Sequence, residues 1–289
     1  VSLSSAELRA TPYLISQLRD SVQATDVGYR AVGELVRTAS QTAFGLLLVD
    51  GLSNAEERVT AALFQALGDV PLVGGSAADE LSFRATHVYC EGEFHVGAAV
   101  FVLLDTTLPF TTFKVQSVSP TAAKVVITRA DAAQRIVFEI DGKPAVAAYA
   151  EKLGCTPEDL VAECRRQPLL LRAGDEYFVR GIRAVNPNGS LSFACAVEEG
   201  LVFTIGAETP AVGALREGLD DAAKRVESPA VVLGFDCVSR RLEIERRGEA
   251  AAVGALFESR RVIGFCTYGE QFDSLHLAQT FTGVMLGGG

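Results

Sequence analysis

The two ends of the chain repeat one pattern, and that repeat constrains the fold more than any other feature. Phe44 to Asp50 reads as a strand, a helix-like segment follows, and Val73-Gly74-Gly75-Ser76-Ala77-Ala78-Asp79-Glu80 closes the unit. Near the other end, Val231 to Asp236, a helix-like segment and Ile263-Gly264-Phe265-Cys266-Thr267-Tyr268-Gly269-Glu270 give the same order of strand, helix, strand and small-residue turn ending on Glu. An apolar strand follows each copy, Val96 to Leu104 in the first and Thr280 to Leu286 in the second. Two readings are open: a duplicated two-domain fold with equivalent sites on its halves, or a chance likeness of two α/β units.

Local signals fill in the rest. Ser53-Asn54-Ala55-Glu56 has capping-box spacing, and Val59, Leu63 and Leu67 behind it line one helix face. Thr156-Pro157 and Thr209-Pro210 each set a hydroxyl before a proline at a first helical position, predicting helices to about Arg166 and Val226. Between them, turn dipeptides at Glu91-Gly92, Asp141-Gly142, Ala173-Gly174 and Asn188-Gly189 separate strand-like runs such as Glu176 to Val185 and Leu191 to Ala194. Hairpins there imply antiparallel pairing. The class is therefore mixed α/β of the α+β kind, with two domains.

Composition removes several functions. A chain of 289 residues, 48% hydrophobic and 21% charged, can bury a sizeable core. The net charge of -10 argues against a nucleic-acid partner. The Arg pairs at 165, 240, 246 and 260 are interleaved with acids and read as solvated helix faces. The longest apolar runs are well short of the roughly 20 residues of a membrane span, and no charged and apolar leader opens the sequence, so the cytoplasm is the expected compartment. Six cysteines without Cys-x-x-Cys spacing are expected to be free and mostly buried.

Chemistry has few candidates. Of three histidines, His87 and His95 sit on strands and read as edge or packing residues, whereas His276 follows the polar stretch Tyr268-Gly269-Glu270-Gln271. It is either a histidine bonded within its own turn or an axial ligand or pocket wall. Tyr268, Glu270 and Gln271 together offer donors and acceptors to a ligand and are expected to face a pocket. Cys266 with His276 and Glu270 has the residue types of a Cys-dependent hydrolase or transferase, but flanking Ile263 and Phe265 predict a packed thiol.

At these residues the sequence resembles the FIST family. The resemblance runs through Leu46-Leu47-Leu48-Val49-Asp50-Gly51, Pro71-Leu72-Val73-Gly74-Gly75-Ser76, Ile140-Asp141-Gly142-Lys143-Pro144-Ala145, Gly264 to Gln271 and His276-Leu277-Ala278-Gln279-Thr280. It places the later part of a FIST N-terminal domain at residues 1–115 and a FIST C-terminal domain at 116–289. The family's opening strand-helix-strand unit is expected to be missing, and His87 stands where an aromatic residue is usual. What the resemblance implies is a bacterial ligand sensor, not an enzyme, that regulates a histidine kinase or a cyclic-di-GMP signalling enzyme in a two-component system. Within the family the sequence is most similar to the NosP-type branch, which implies haem as cofactor, His276 as its metal ligand and nitric oxide as the signal. A haem-free sensor of small metabolites such as amino acids, with its pocket around Tyr268, Glu270 and Gln271, is the alternative.

Overall fold

The computed structural model describes residues 5–18, 22–39 and 42–288. The chain opens with β1 (Leu8–Ile15), α1 (Val22–Arg37), β2 (Ala43–Asp50), α2 (Glu56–Leu67) and β3 (Leu72–Ala77). A small hairpin of β4 (Val88–Cys90) and β5 (Glu93–His95) leads to β6 (Ala99–Thr106) and β7 (Phe110–Gln116). The middle holds β8 (Val118–Asp131), β9 (Ile136–Ile140), β10 (Lys143–Pro144), α3 (Ala145–Leu153), α4 (Leu160–Arg166), β11 (Leu169–Ala173), β12 (Glu176–Arg180), β13 (Ile182–Val185), β14 (Leu191–Phe193) and β15 (Val202–Glu208). It ends with α5 (Ala211–Ala223), β16 (Pro229–Cys237), α6 (Val238–Arg246), α7 (Ala250–Ser259), β17 (Val262–Thr267), β18 (Glu270–Phe272), β19 (Leu275–Leu277) and β20 (Thr280–Gly287). The mixed α+β class is as expected, and no helix among the described residues is long and apolar enough to cross a membrane.

Two compact units share this chain. The first takes the residues up to Gln116, Ala211–His276 and those from Thr280 on; the second takes Ser117–Pro210 and Leu277–Gln279. The expected break after residue 115 falls at the β7–β8 junction, but the rest does not stay together as one body. β20 pairs along all of β7 and with β16, so hydrogen bonding returns the C-terminal strands to the first unit.

Besides the two-stranded β4-β5 hairpin, the first unit has two larger sheets, ordered β1-β6-β2-β3-β18-β19 and β17-β16-β20-β7. β2 shows why both faces are covered. Its Ala43, Leu47 and Val49 join Val59, Leu63 and Leu67 of α2 in one core, and its Phe44, Leu46 and Leu48 pack toward Phe235, Val284 and Leu286 of the second sheet. A strand buried on both faces must read as a continuous apolar run, as Phe44 to Val49 does. Each such Leu or Phe contributes about 1.5–3 kcal/mol on burial. On the outer face of the second sheet, Leu215 and Leu219 of α5 and Val253 and Leu256 of α7 cover Phe113, Val232, Phe281 and Met285. Helices thus flank a pair of packed sheets.

The two sheets are copies. β2 runs parallel to β3 and antiparallel to β6, which is antiparallel to β1; β16 runs parallel to β17 and antiparallel to β20, which is antiparallel to β7. β1, β2, β3 and β6 therefore correspond to β7, β16, β17 and β20. The glycines of the second parallel strand also coincide. Gly74 lies opposite Leu47 and Gly264 opposite Gly234, and a Cβ on either glycine would meet the partner strand's carbonyl oxygen, at 1.9 and 1.8 Å. The duplication read from the sequence extends further than the strand-helix-strand echo: α1 and α5 match as well, and residues 117–210 enter the second copy between its first strand and first helix.

The second unit is an antiparallel sheet ordered β12-β11-β15-β8-β9-β14-β13, with β10 on β9. α3 and α4 pack Tyr149, Leu160 and Cys164 against Ile127, Phe193 and Phe203. Two predicted helix starts shift. Ser53 accepts the Ala55 N–H in its own turn, so α2 begins at Glu56 without a side-chain cap. Thr156 bonds Asp159, and the helix starts at Leu160.

Candidate ligand site

The predicted residues lie on the turn after β17 and the β18–β19 hairpin. This hairpin belongs to the second copy in sequence, yet β18 pairs with β3: Glu270 opposite Gly75, Gln271 opposite Gly74 and Phe272 opposite Val73. The C-terminal copy thereby completes the N-terminal sheet. The counterpart of Glu270 in the first copy, Glu80, is exposed in a turn instead.

Alternation along β18 separates the predicted group. Phe272 belongs to the core between the sheets, and Glu270, two residues before it, faces the same way. Gln271 points to the opposite face. Glu270 is fully buried; Thr267 Oγ1 reaches its Oε1 at 2.5 Å, and Thr280 reaches its Oε2 through Oγ1 at 2.6 Å and its backbone N–H at 3.3 Å. Burial pushes its carboxyl up to about 8, against the Thr267 and Thr280 hydrogen bonds and with help from the Asp236 charge. At neutral pH it carries its proton. Gly75 makes the approach of Thr267 possible, since a Cβ there would lie 2.4 Å from the Thr267 methyl.

On the other face, the Gln271 amide nitrogen donates to Ser76 Oγ at 2.9 Å and lies 3.2 Å from Nδ1 of His276, while its Oε1 has no partner. Gln271 and His276 are both buried. Tyr268 is placed elsewhere again. Its hydroxyl donates to Asp79 at 2.5 Å and its ring stacks on Phe83 at 4.8 Å. Asp79 also accepts the N–H groups of Phe83, Arg84 and Ala85. Burial would raise the Asp79 carboxyl, but the bonds from Tyr268, Ser82, Arg84 and Ala85 hold it well below the usual range. Tyr268 is a clamp on the 79–85 loop. The expected single pocket around Tyr268, Glu270 and Gln271 is thus three environments, because adjacent residues on a strand face opposite ways.

His95 is on a strand as the sequence predicted, in β5, whereas His87 lies just before β4, exposed against the Phe94 ring at 6.3 Å. Two other expectations are overturned. Cys266 is exposed rather than packed, because β17 is an edge strand and Phe265 beside it is 47% exposed. Arg240 is buried rather than solvated, because the first turn of α6 brings it back onto Asp236 in an ion pair. Asp236, Thr267, Thr280 and Ser76 went unremarked in the sequence. Asp236 had a usable signal, an acid at the end of an apolar strand where α/β folds place ligands.

For haem, the His276 geometry offers one favourable element and one obstacle. Gln271 orients the ring through Nδ1, as a supporting residue does for a ligand imidazole. The ring is only 3% exposed and is held in the β18–β19 hairpin. Among the described residues no group of three or more His, Cys, Asp or Glu is arranged to hold a metal ion. As for covalent catalysis, Cys266 faces the outer side of the second sheet and His276 the outer side of the first. Burial and the Asp236 charge push the thiol up, the reverse of an activated nucleophile.

The FIST N domain model matches residues 1–143 and the FIST C domain model residues 145–273. Between them they account for nearly the whole chain, which belongs to the FIST sensory-domain proteins. It is also 30% identical over 165 residues to the uncharacterized protein MJ1623 of Methanocaldococcus jannaschii, an alignment covering 55% of this chain and 31% of that protein. The chain thus spans about a third of the length of this relative.

Proposed function

We propose that this chain is the ligand-receiving part of a signalling protein and that the β18–β19 hairpin reports occupancy. The observation that carries the reading is that one short strand buries polar side chains on both faces, Glu270 on one and Gln271 against His276 on the other. Glu270 pairs through its backbone with the first sheet and through its side chain with Thr267 and Thr280 of the second. Gln271 keeps an unpartnered buried oxygen on the other face. Stability alone would be served by apolar residues here, since a buried acid and an unpaired amide oxygen each cost free energy. A change here moves a strand shared by both copies, which suits a two-state reporter.

The finer reading is nitric oxide sensed at haem on His276 and passed to a histidine kinase or a cyclic-di-GMP enzyme. The oriented imidazole supports it, but the hairpin must open to admit the porphyrin. Spectra of protein reconstituted with haem, for wild type and His276→Ala, decide it. A Soret band altered in His276→Ala supports this reading. With no band, a panel of small metabolites scored by hydrogen exchange at residues 270–276 takes its place. Slowed exchange there on binding is the expected result, and ligands that bind without touching that exchange would refute the hairpin's role.

A further inference from the structure

Apart from the hairpin, the outer face of the second sheet holds a cleft of about 210 Å³ between β16–β17 and the α6–α7 pair. It holds about seven water volumes. Its apolar lining is Phe257, Val262 and Phe281, its charged residues are Asp236 and Arg241, and Cys266 sits on its rim. Gly234 and Gly264, paired across β16 and β17, leave its floor bare backbone.

The polar groups are unequal. Arg241 is about half exposed and its Nε is already bonded to Glu245 Oε1 at 2.7 Å, so water and Glu245 satisfy it cheaply. Asp236 is different. Its Oδ1 takes Arg240 Nη1, its Oδ2 has no hydrogen-bond partner, and only 12% of its side chain is exposed. Burial pushes its carboxyl up even with Arg240 and Arg241 beside it, so the cations present do not compensate its desolvation. A second donor on Oδ2, best a charged one, would. An apolar body suits the same cleft: Phe257, stacked on the buried Phe281 at 5.0 Å, and Val262 give it surface to cover.

We propose that this cleft binds a compact organic cation, a primary ammonium on a small apolar or aryl body, with the ammonium on Asp236 Oδ2 and the body against Phe257 and Val262. The site rests on the small-ligand reading of the chain, to which it gives an entry point separate from the hairpin.

The probes are benzylamine, benzyl alcohol and benzoate, which share a body and differ in charge. Titration calorimetry on the full chain should show benzylamine binding at least about tenfold tighter than benzyl alcohol, and benzoate weakest, a factor of ten being about 1.4 kcal/mol. Asp236→Asn should erase the preference for benzylamine. Because that variant strands Arg240 and can misfold, a second measurement uses wild type: benzylamine should slow alkylation of Cys266, followed by peptide mass spectrometry. Benzoate binding more tightly than benzylamine would overturn the proposal in favour of an anion site on the arginines. Binding of none of the three, or benzylamine binding that leaves Cys266 alkylation unchanged, would overturn it as well; a metabolite that slows exchange at residues 270–276 in that case leaves the sensory reading standing.

Discussion

Replacing Glu270 by Gln should make the protein less sensitive to pH, and the size follows from its surroundings. The folded state keeps the Glu270 proton to about pH 8, whereas the ordinary value is 4.5. Between those limits the folded state binds more protons at this site than the unfolded one, so the contribution of Glu270 to stability is fully present below pH 4.5 and is lost as pH rises toward 8. The slope is about 1.4 kcal/mol per pH unit, and the whole interval amounts to about 5 kcal/mol. In Glu270→Gln the amide can turn its carbonyl oxygen to the Thr280 N–H and its NH₂ to Thr267 Oγ1, copying the protonated acid. Urea unfolding of both proteins from pH 5 to 9 is the assay. The variant should match wild type near pH 5 and exceed it by several kcal/mol at pH 8.5. Curves for the two proteins that stay parallel across this range would refute the buried, protonated state of Glu270.

Two further substitutions examine the copies and the loop. Gly74→Ala and Gly264→Ala each drive a Cβ into a backbone carbonyl, so both should destabilise by about 3 kcal/mol or more, while Gly254→Ala in α7, with open space around it, should stabilise by up to about 1 kcal/mol; equal midpoints for all three in denaturant would contradict the strand spacing. Tyr268→Phe keeps the stack on Phe83 but removes the bond to Asp79, so the amides of Phe83, Arg84 and Ala85 should exchange faster with solvent. Unchanged exchange at these three positions would mean that Asp79 orders the loop unaided.

How much was legible follows from the range of the forces involved. The echo between Phe44–Glu80 and Val231–Glu270 was visible because turn sterics and apolar alternation act over a few residues. Gly74 and Gly264 mark equivalent strands for the same reason. The first strand and helix of each copy escaped notice because an insertion of 94 residues separates β7 from α5, breaking the sequence period but not the sheet pairing. Arg240 looked solvated because pairing at i and i+4 with Asp236 depends on where α6 starts.

By itself the sequence determined that the chain is mixed α and β and that the polar stretch from Tyr268 to His276 is unusual; that its ends are copies it left as one of two readings. Only the tertiary structure decided what that stretch does. Side-chain type is a local property, but whether Glu270 is charged depends on the atoms that exclude water from it, and these come from β3, β17 and β20. β18 leaves its own copy to pair with the other, so the neighbours that set its chemistry lie some 195 residues away, as Ser76 does from Gln271. Burial and hydrogen bonding are set by proximity in space, and no short-range pattern in a sequence encodes which distant strand arrives.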